Sequence, residues 1–277
     1  MTNEALKQFS FFTKPMRAGR TVGLVLFVIT IFLIVALAKK CSAADLMKSQ
    51  PIEDPSGIAL EKFIFALQQS DEQKVRIIHY GDSHAAADWL TGKMRTNFQF
   101  DFGQANVSYE QQGVNGARAT KPLGWNWKLI KVEFAKAPPS LLVIAYGTNE
   151  AGDADLDLVE YKAIYSRLLQ RFKEAAPDAS LLVIAPPDRA IFREGKWRSF
   201  RVLPTLIQAQ KEAAFENGAA FWNQYEAMGG AGAINRWTQF SPPLAQKDRV
   251  HLTLAGYQLI ANSFYAELMT AYENFQN

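Results

Sequence analysis

From residue 57 onward, two apolar patterns alternate along the chain. Short runs that are apolar or β-branched recur, each closing on a turn: VRIIHYG at 75–81, VSYEQQG at 107–113, LLVIAYG at 141–147, LLVIAPP at 181–187 and GAAFWNQ at 218–224. Successive apolar residues in runs this short predict strands buried on both faces. Between the runs, apolar residues fall at i, i+3, i+4 spacing and predict helices at 57–70, 84–98, 157–176, 202–217 and 253–273. The clearest is 157–176, where Leu158, Tyr161, Tyr165, Leu168 and Phe172 share one face; Thr253 stands where an N-cap of the last helix belongs. Strands that alternate with helices predict an α/β fold, here a flavodoxin-like three-layer α/β/α sandwich around a five-stranded parallel sheet. In such sheets reactive groups collect at the carboxyl ends of the strands.

The pattern before residue 57 is different. Residues 21–38, TVGLVLFVITIFLIVALA, contain no charge and no helical alternation. At ~1.5 Å per residue they span about 27 Å as a helix, close to the hydrocarbon thickness of a bilayer. They are expected to form a transmembrane anchor behind a cytoplasmic tail at 1–20, with a polar, proline-containing linker at 39–56 and a folded domain at 57–277. The sequence ALA at 36–38 has the small-x-small form of a signal-peptidase site, but the polar leader, the length of the run and the lysines behind it favour an uncleaved anchor. Four basic residues precede the span, which favours an inner-membrane, single-pass orientation with the domain on the periplasmic side.

Charge sharpens this division. Residues 1–44 carry six basic side chains against Glu4, so the net +3 of the whole chain belongs to the tail and the remainder is slightly acidic. A nearly neutral domain lacks the basic surplus that tracks a phosphate backbone, and no nucleic-acid partner is expected. Cys41 is the only cysteine, and the three histidines are scattered, so no metal or other cofactor is expected either.

The candidate chemistry sits where the strands end. Ser83, in GDSH, follows the first predicted strand and opens a helix whose N-terminus favours an oxyanion. A serine nucleophile needs a base held by a third group, and DRVHLT near the C-terminus supplies Asp248 and His251, three residues apart. His84 adjoins the serine but points to another side, lining the site or capping the turn. Asp82 reads as a hydrogen-bonder of the turn, and His79 as a core histidine. Oxyanion donors are offered by the side chain of Asn149 in YGTNEAG and by the amides of Gly113 or Gly116 in QQGVNGARA. The four motifs follow the first, second, third and fifth strands, a convergence that each bland turn alone would not give.

These blocks, Ser83 in GDSH, Gly116 in GVNGA, Asn149 in GTNE and Asp248 with His251 in DRVHLT, resemble the SGNH hydrolase superfamily, or GDSL esterases. The variants GDSH and GTNE, AAAD behind the serine, and FWNQYEAMGGAGAINRW at 221–237 are similar to its bacterial peptidoglycan O-acetylesterase branch. The resemblance implies a Ser83-His251-Asp248 triad and an oxyanion hole from the amides of Ser83 and Gly116 and the Asn149 side chain. It also implies an acetylated cell-envelope glycan as substrate, which in that branch is peptidoglycan. The alternatives are an O-acetyltransferase built on the same triad and a general GDSL lipase or esterase.

Overall fold

Five parallel strands form the predicted sheet: β1 (Val75–Gly81), β2 (Val107–Gly113), β3 (Leu141–Ala145), β4 (Ser180–Ile184) and β7 (Ala220–Trp222). Their spatial order is β2-β1-β3-β4-β7. The structure is a computed structural model that describes residues 42–276. The expected tail, the apolar run 21–38 and the start of the linker lie outside these residues; among the described residues no helix is long and apolar enough to cross a membrane.

Alternation along the strands divides the core in two. Ile77, Leu141, Val143 and Leu182 face one side, where they pack against α1 (Glu61–Gln68), α3 (Trp89–Phe102), α7 (Gln224–Ala227), α8 (Ala233–Gln239) and α9 (Leu254–Gln276). Ile78, Leu142, Ile144 and Val183 face the other, against α4 (Trp127–Lys136), α5 (Leu158–Ala175) and α6 (Leu203–Glu216). A parallel sheet needs both faces covered, and these helices supply the cover. Asp157 caps α5 by accepting from the N–H groups of Val159 and Glu160. Thr253 caps α9 as expected, its Oγ1 accepting from Gly256 N–H.

The structure departs from the expected elements at several places. The helix expected at 84–98 is two, α2 (Ser83–Ala86) and α3, because Asp88 takes a left-handed conformation with φ 52° and breaks the run. Helix α4 was not expected; Phe134 is its one fully buried side chain, while Leu129 and Val132 point to solvent and blur the apolar face. After β4 the chain makes an antiparallel hairpin, β5 (Ala190–Arg193) and β6 (Lys196–Ser199), turning at Glu194 and Gly195, both at positive φ. Residues 43–56, read as part of the linker, lie along the domain. Glu53 bridges Phe221 in antiparallel fashion, Trp222 Nε1 donates to Gln50 O at 3.0 Å, and Ile52 packs on the core. This covers the edge strand β7, whose unpaired backbone groups would otherwise face water.

Candidate active site

Every chemistry-bearing motif reaches the carboxyl edge of the sheet, and the register shows how. Gly81, the last residue of β1, lies opposite Gly113 of β2 on one side and Ala145 of β3 on the other. The three chains leave the sheet side by side. A Cβ at Gly81 would meet Ala145 O and Ala85 Cβ, each at 2.9 Å, so only glycine lets the chain turn this tightly into α2. Asp82 then caps α2, its Oδ1 accepting from His84 N–H at 2.9 Å. Ser83 is the first helical residue.

Ser83 Oγ lies 2.9 Å from His251 Nε2, across 168 residues of sequence, and His251 Nδ1 lies 2.7 Å from Asp248 Oδ2. With Nδ1–H donating to the carboxylate, Nε2 is left to accept the serine proton. The Asp-His loop is held on every side. Asp248 Oδ1 accepts from the N–H groups of Val250 and His251, Gln246 N–H donates to His251 O, and Ala245 bridges Leu252. Burial pushes the Asp248 carboxyl up, but the hydrogen bonds from the His251 ring and the two amides outweigh it, and the group ends below its ordinary value. It therefore stays ionised. The side chains of His251 and Asp248 are 33% and 45% exposed, so water reaches the pair.

The candidate oxyanion donors come together on the neighbouring loops. Asn149 Nδ2 donates to Ala117 O at 2.8 Å, which ties the third-strand loop to the residue after Gly116 and leaves the amide a second N–H. Gly116 has φ 71° and open space around its Cβ position, whereas a Cβ at Gly113 would collide with α2 at Ala86 N and Ala85 C. Gly113 is thus a packing glycine, and Gly116 is the one that shapes a turn. Glu150 is buried and accepts from Ala119 N–H at 2.7 Å. Burial raises its carboxyl above the ordinary value, with the amides of Ala119 and Glu150 itself pulling it back.

The other histidines stand apart from the reaction path. His79 is buried in β1 with Nδ1 2.9 Å from Tyr109 Oη, and burial pulls its pKa down to about 3. His84 Nδ1 lies 2.8 Å from Tyr257 Oη, and its ring centroid is 5.3 Å from that of His251. Burial also lowers the pKa of His84, so a neutral ring backs the candidate base.

One site residue was missed from the sequence. Arg189 follows β4, the single strand end to which no motif had been attached. Its Nη1 donates to Thr148 O, beside Asn149, and its guanidinium lies 4.7 Å from the Phe200 ring centroid. The rule that places chemistry at strand ends was the available signal. Among the described residues, no group of three or more His, Cys, Asp or Glu is placed to hold a metal ion.

Residues 77–259 match the GDSL-like lipase/acylhydrolase family. The chain belongs to that family. It is accordingly a hydrolase of carboxylic esters with the SGNH fold. Solved structures similar to this GDSL-like hydrolase include a peptidoglycan O-acetylesterase, 16% identical, with TM-score 0.71 over 80% of this chain and 99% of the other. An acetyl xylan esterase from Geobacillus stearothermophilus is 16% identical, with TM-score 0.54 over 71% and 95%. A two-domain esterase active on acetylated mannans is 12% identical, with TM-score 0.57 over 80% and 56%. No curated protein matches the sequence.

Proposed function

We propose that this GDSL-like hydrolase is a serine O-acetylesterase that strips acetyl or other short acyl groups from a cell-envelope carbohydrate, with peptidoglycan as the leading candidate. The observation that carries the reading is the continuous hydrogen-bonded chain from Ser83 through His251 to Asp248 at the carboxyl edge of the sheet. Ser83 Oγ attacks the ester carbonyl while His251 takes its proton. Asp248 holds the imidazole in the Nδ1–H tautomer and stabilises the imidazolium. The oxyanion is received by the amides of Ser83 and Gly116 and by the Asn149 side chain. His251 then returns the proton to the leaving sugar hydroxyl, and water, activated by the same imidazole, releases the acid.

The similarity to a peptidoglycan O-acetylesterase and to an acetyl xylan esterase supports an acetylated glycan as substrate. Exposure of the Asp-His pair favours hydrolysis over transfer to a sugar hydroxyl, since transfer requires that water be kept out. Residues 21–38 serve as an inner-membrane anchor that holds the domain on the extracytoplasmic side; protease treatment of intact spheroplasts should digest the domain. Acetate release from O-acetylated peptidoglycan, acetylated xylan and acetylated mannan, compared between the wild type and Ser83→Ala, tests the activity. Release by both proteins or by neither would sink the reading.

A further inference from the structure

The hairpin β5–β6 and the catalytic Asp-His loop are built as one piece. Ala190 N–H donates to Arg249 O at 2.9 Å, and Arg249 stands between Asp248 and His251 at φ 58°, a conformation that costs a non-glycine residue energy and is held only by its surroundings. The Arg249 guanidinium lies over Trp197 of β6, with Cζ 5.2 Å from the ring centroid. The hairpin is clamped from behind. Asp188 Oδ2 accepts from Ser199 Oγ and from Ile234 N–H, and Gly232 N–H donates to Ser199 Oγ.

Two guanidinium groups at this junction have no carboxylate partner among the described residues. Nε and Nη1 of Arg249, and Nε of Arg189, are sealed from solvent with no acceptor. An unpaired, desolvated cation is costly, and burial lowers the Arg189 pKa even though Asp82 and Asp248 pull it back up. Residues 189–201 carry five basic side chains and one acidic one, so the hairpin is strongly cationic on a domain whose remainder is acidic. Beside this charge stands an exposed aromatic pair, Phe192 and Trp197, 57% and 37% exposed, with ring centroids 5.5 Å apart.

We propose that Arg249, Arg189 and the hairpin aromatics form a subsite for a carboxylate-bearing glycan, which seats an acidic sugar or a sugar with an acidic substituent next to the ester presented to Ser83. The subsite deepens the O-acetylesterase reading and rests on it. Guanidinium forks match carboxylates in shape and charge, and flat aromatic faces take the apolar faces of sugar rings. The two features together fit an anionic polysaccharide better than a neutral one.

The test measures acetate release by the full chain from an acetylated polyuronate and from O-acetylated peptidoglycan, both carboxylate-bearing, and from neutral acetylated xylan, with p-nitrophenyl acetate as reference. The wild type should favour at least one acidic polymer over xylan in kcat/KM by about tenfold or more, and high salt should shrink the preference. Arg249→Gln should reduce that acidic-to-neutral ratio by about tenfold, through KM, with Arg249→Lys intermediate. The double variant Arg193→Gln/Lys196→Gln, at the hairpin tip and away from the triad, should reduce it as well if the fold of the catalytic loop is not the cause. A wild type without acidic preference, or a ratio unmoved in both Arg249→Gln and the tip variant, would overturn the subsite while leaving the esterase intact. Silence towards p-nitrophenyl acetate as well would overturn the esterase reading beneath it.

Discussion

Replacing Gly81 by alanine should damage catalysis more than stability, and the structure gives the size of the effect. The new Cβ would lie 2.9 Å from Ala145 O and 2.9 Å from Ala85 Cβ, while ordinary contact begins at 3.4 Å. Relief therefore requires a shift of about 0.5 Å or more, because a backbone carbonyl and a methyl group have no rotamer to change. The carbonyl belongs to β3 in the centre of the sheet, so α2 is the element that moves, and Ser83 moves with it. Its Oγ starts 2.9 Å from His251 Nε2, an ordinary hydrogen-bond distance that a shift of about 0.5 Å would carry past the ~3.2 Å end of the usual range. A misplacement of 1 Å costs about 10²-fold, so half of that should lower kcat by about 10-fold to 10²-fold. Overpacking should cost about 1–3 kcal/mol of stability. Steady-state kinetics on p-nitrophenyl acetate with parallel thermal melts would measure both, with Gly124→Ala as a control where nothing lies within 4 Å of the added Cβ. A Gly81→Ala enzyme with wild-type kcat would refute the claim that close packing of β1, β3 and α2 sets the position of the serine.

Three further outcomes follow from the same geometry. Asn149→Ala should lower kcat by about 10² to 10³, with little change in KM, as expected for an oxyanion donor; an equal rise in KM would point to substrate binding instead. Asp248→Asn should lower kcat by on the order of 10³ to 10⁴ because the amide favours the wrong tautomer of His251, and near-normal kinetics would remove Asp248 from the triad. His79 sets a pH dependence of stability: its folded pKa is depressed from 6.5 to about 3, so the unfolded chain binds the extra proton between those values. Stability is then complete above pH 6.5 and is lost on acidification towards pH 3, at about 1.4 kcal/mol per pH unit from this group. His84, also lowered by burial, acts in the same direction. Denaturant melts of His79→Gln should show a flatter profile across that window, and an unchanged slope would contradict the assignment.

Strands β3, β4 and β7 were legible because they are buried on both faces and read as apolar runs. The pairing of Ser83 with a histidine 168 residues away was legible for a topological reason: loops after parallel strands return to one edge. Elements that bury little were not legible. Helix α4 shows solvent two of its large apolar side chains, and the hairpin strands, four residues each and heavily charged, carry no core signal beyond Ala190. Glu194-Gly195 was the available turn signal, with both residues at positive φ. Arg189 escaped notice because a charged loop residue ordinarily reads as solvated; only the fold shows that it is drawn inward to tie one site loop to another. The motif at 221–237 joined the site indirectly, since its glycine turns and α8 buttress the hairpin through Ser199 and Asp188.

The central question is whether Ser83 opens acetyl esters on a glycan. The direct measurement is acetate released per enzyme from O-acetylated peptidoglycan by the purified full chain, side by side with Ser83→Ala of matched folded content. The wild type should release acetate steadily, and the variant should lose at least about 10³-fold. Equal release by the two proteins would contradict this role of Ser83.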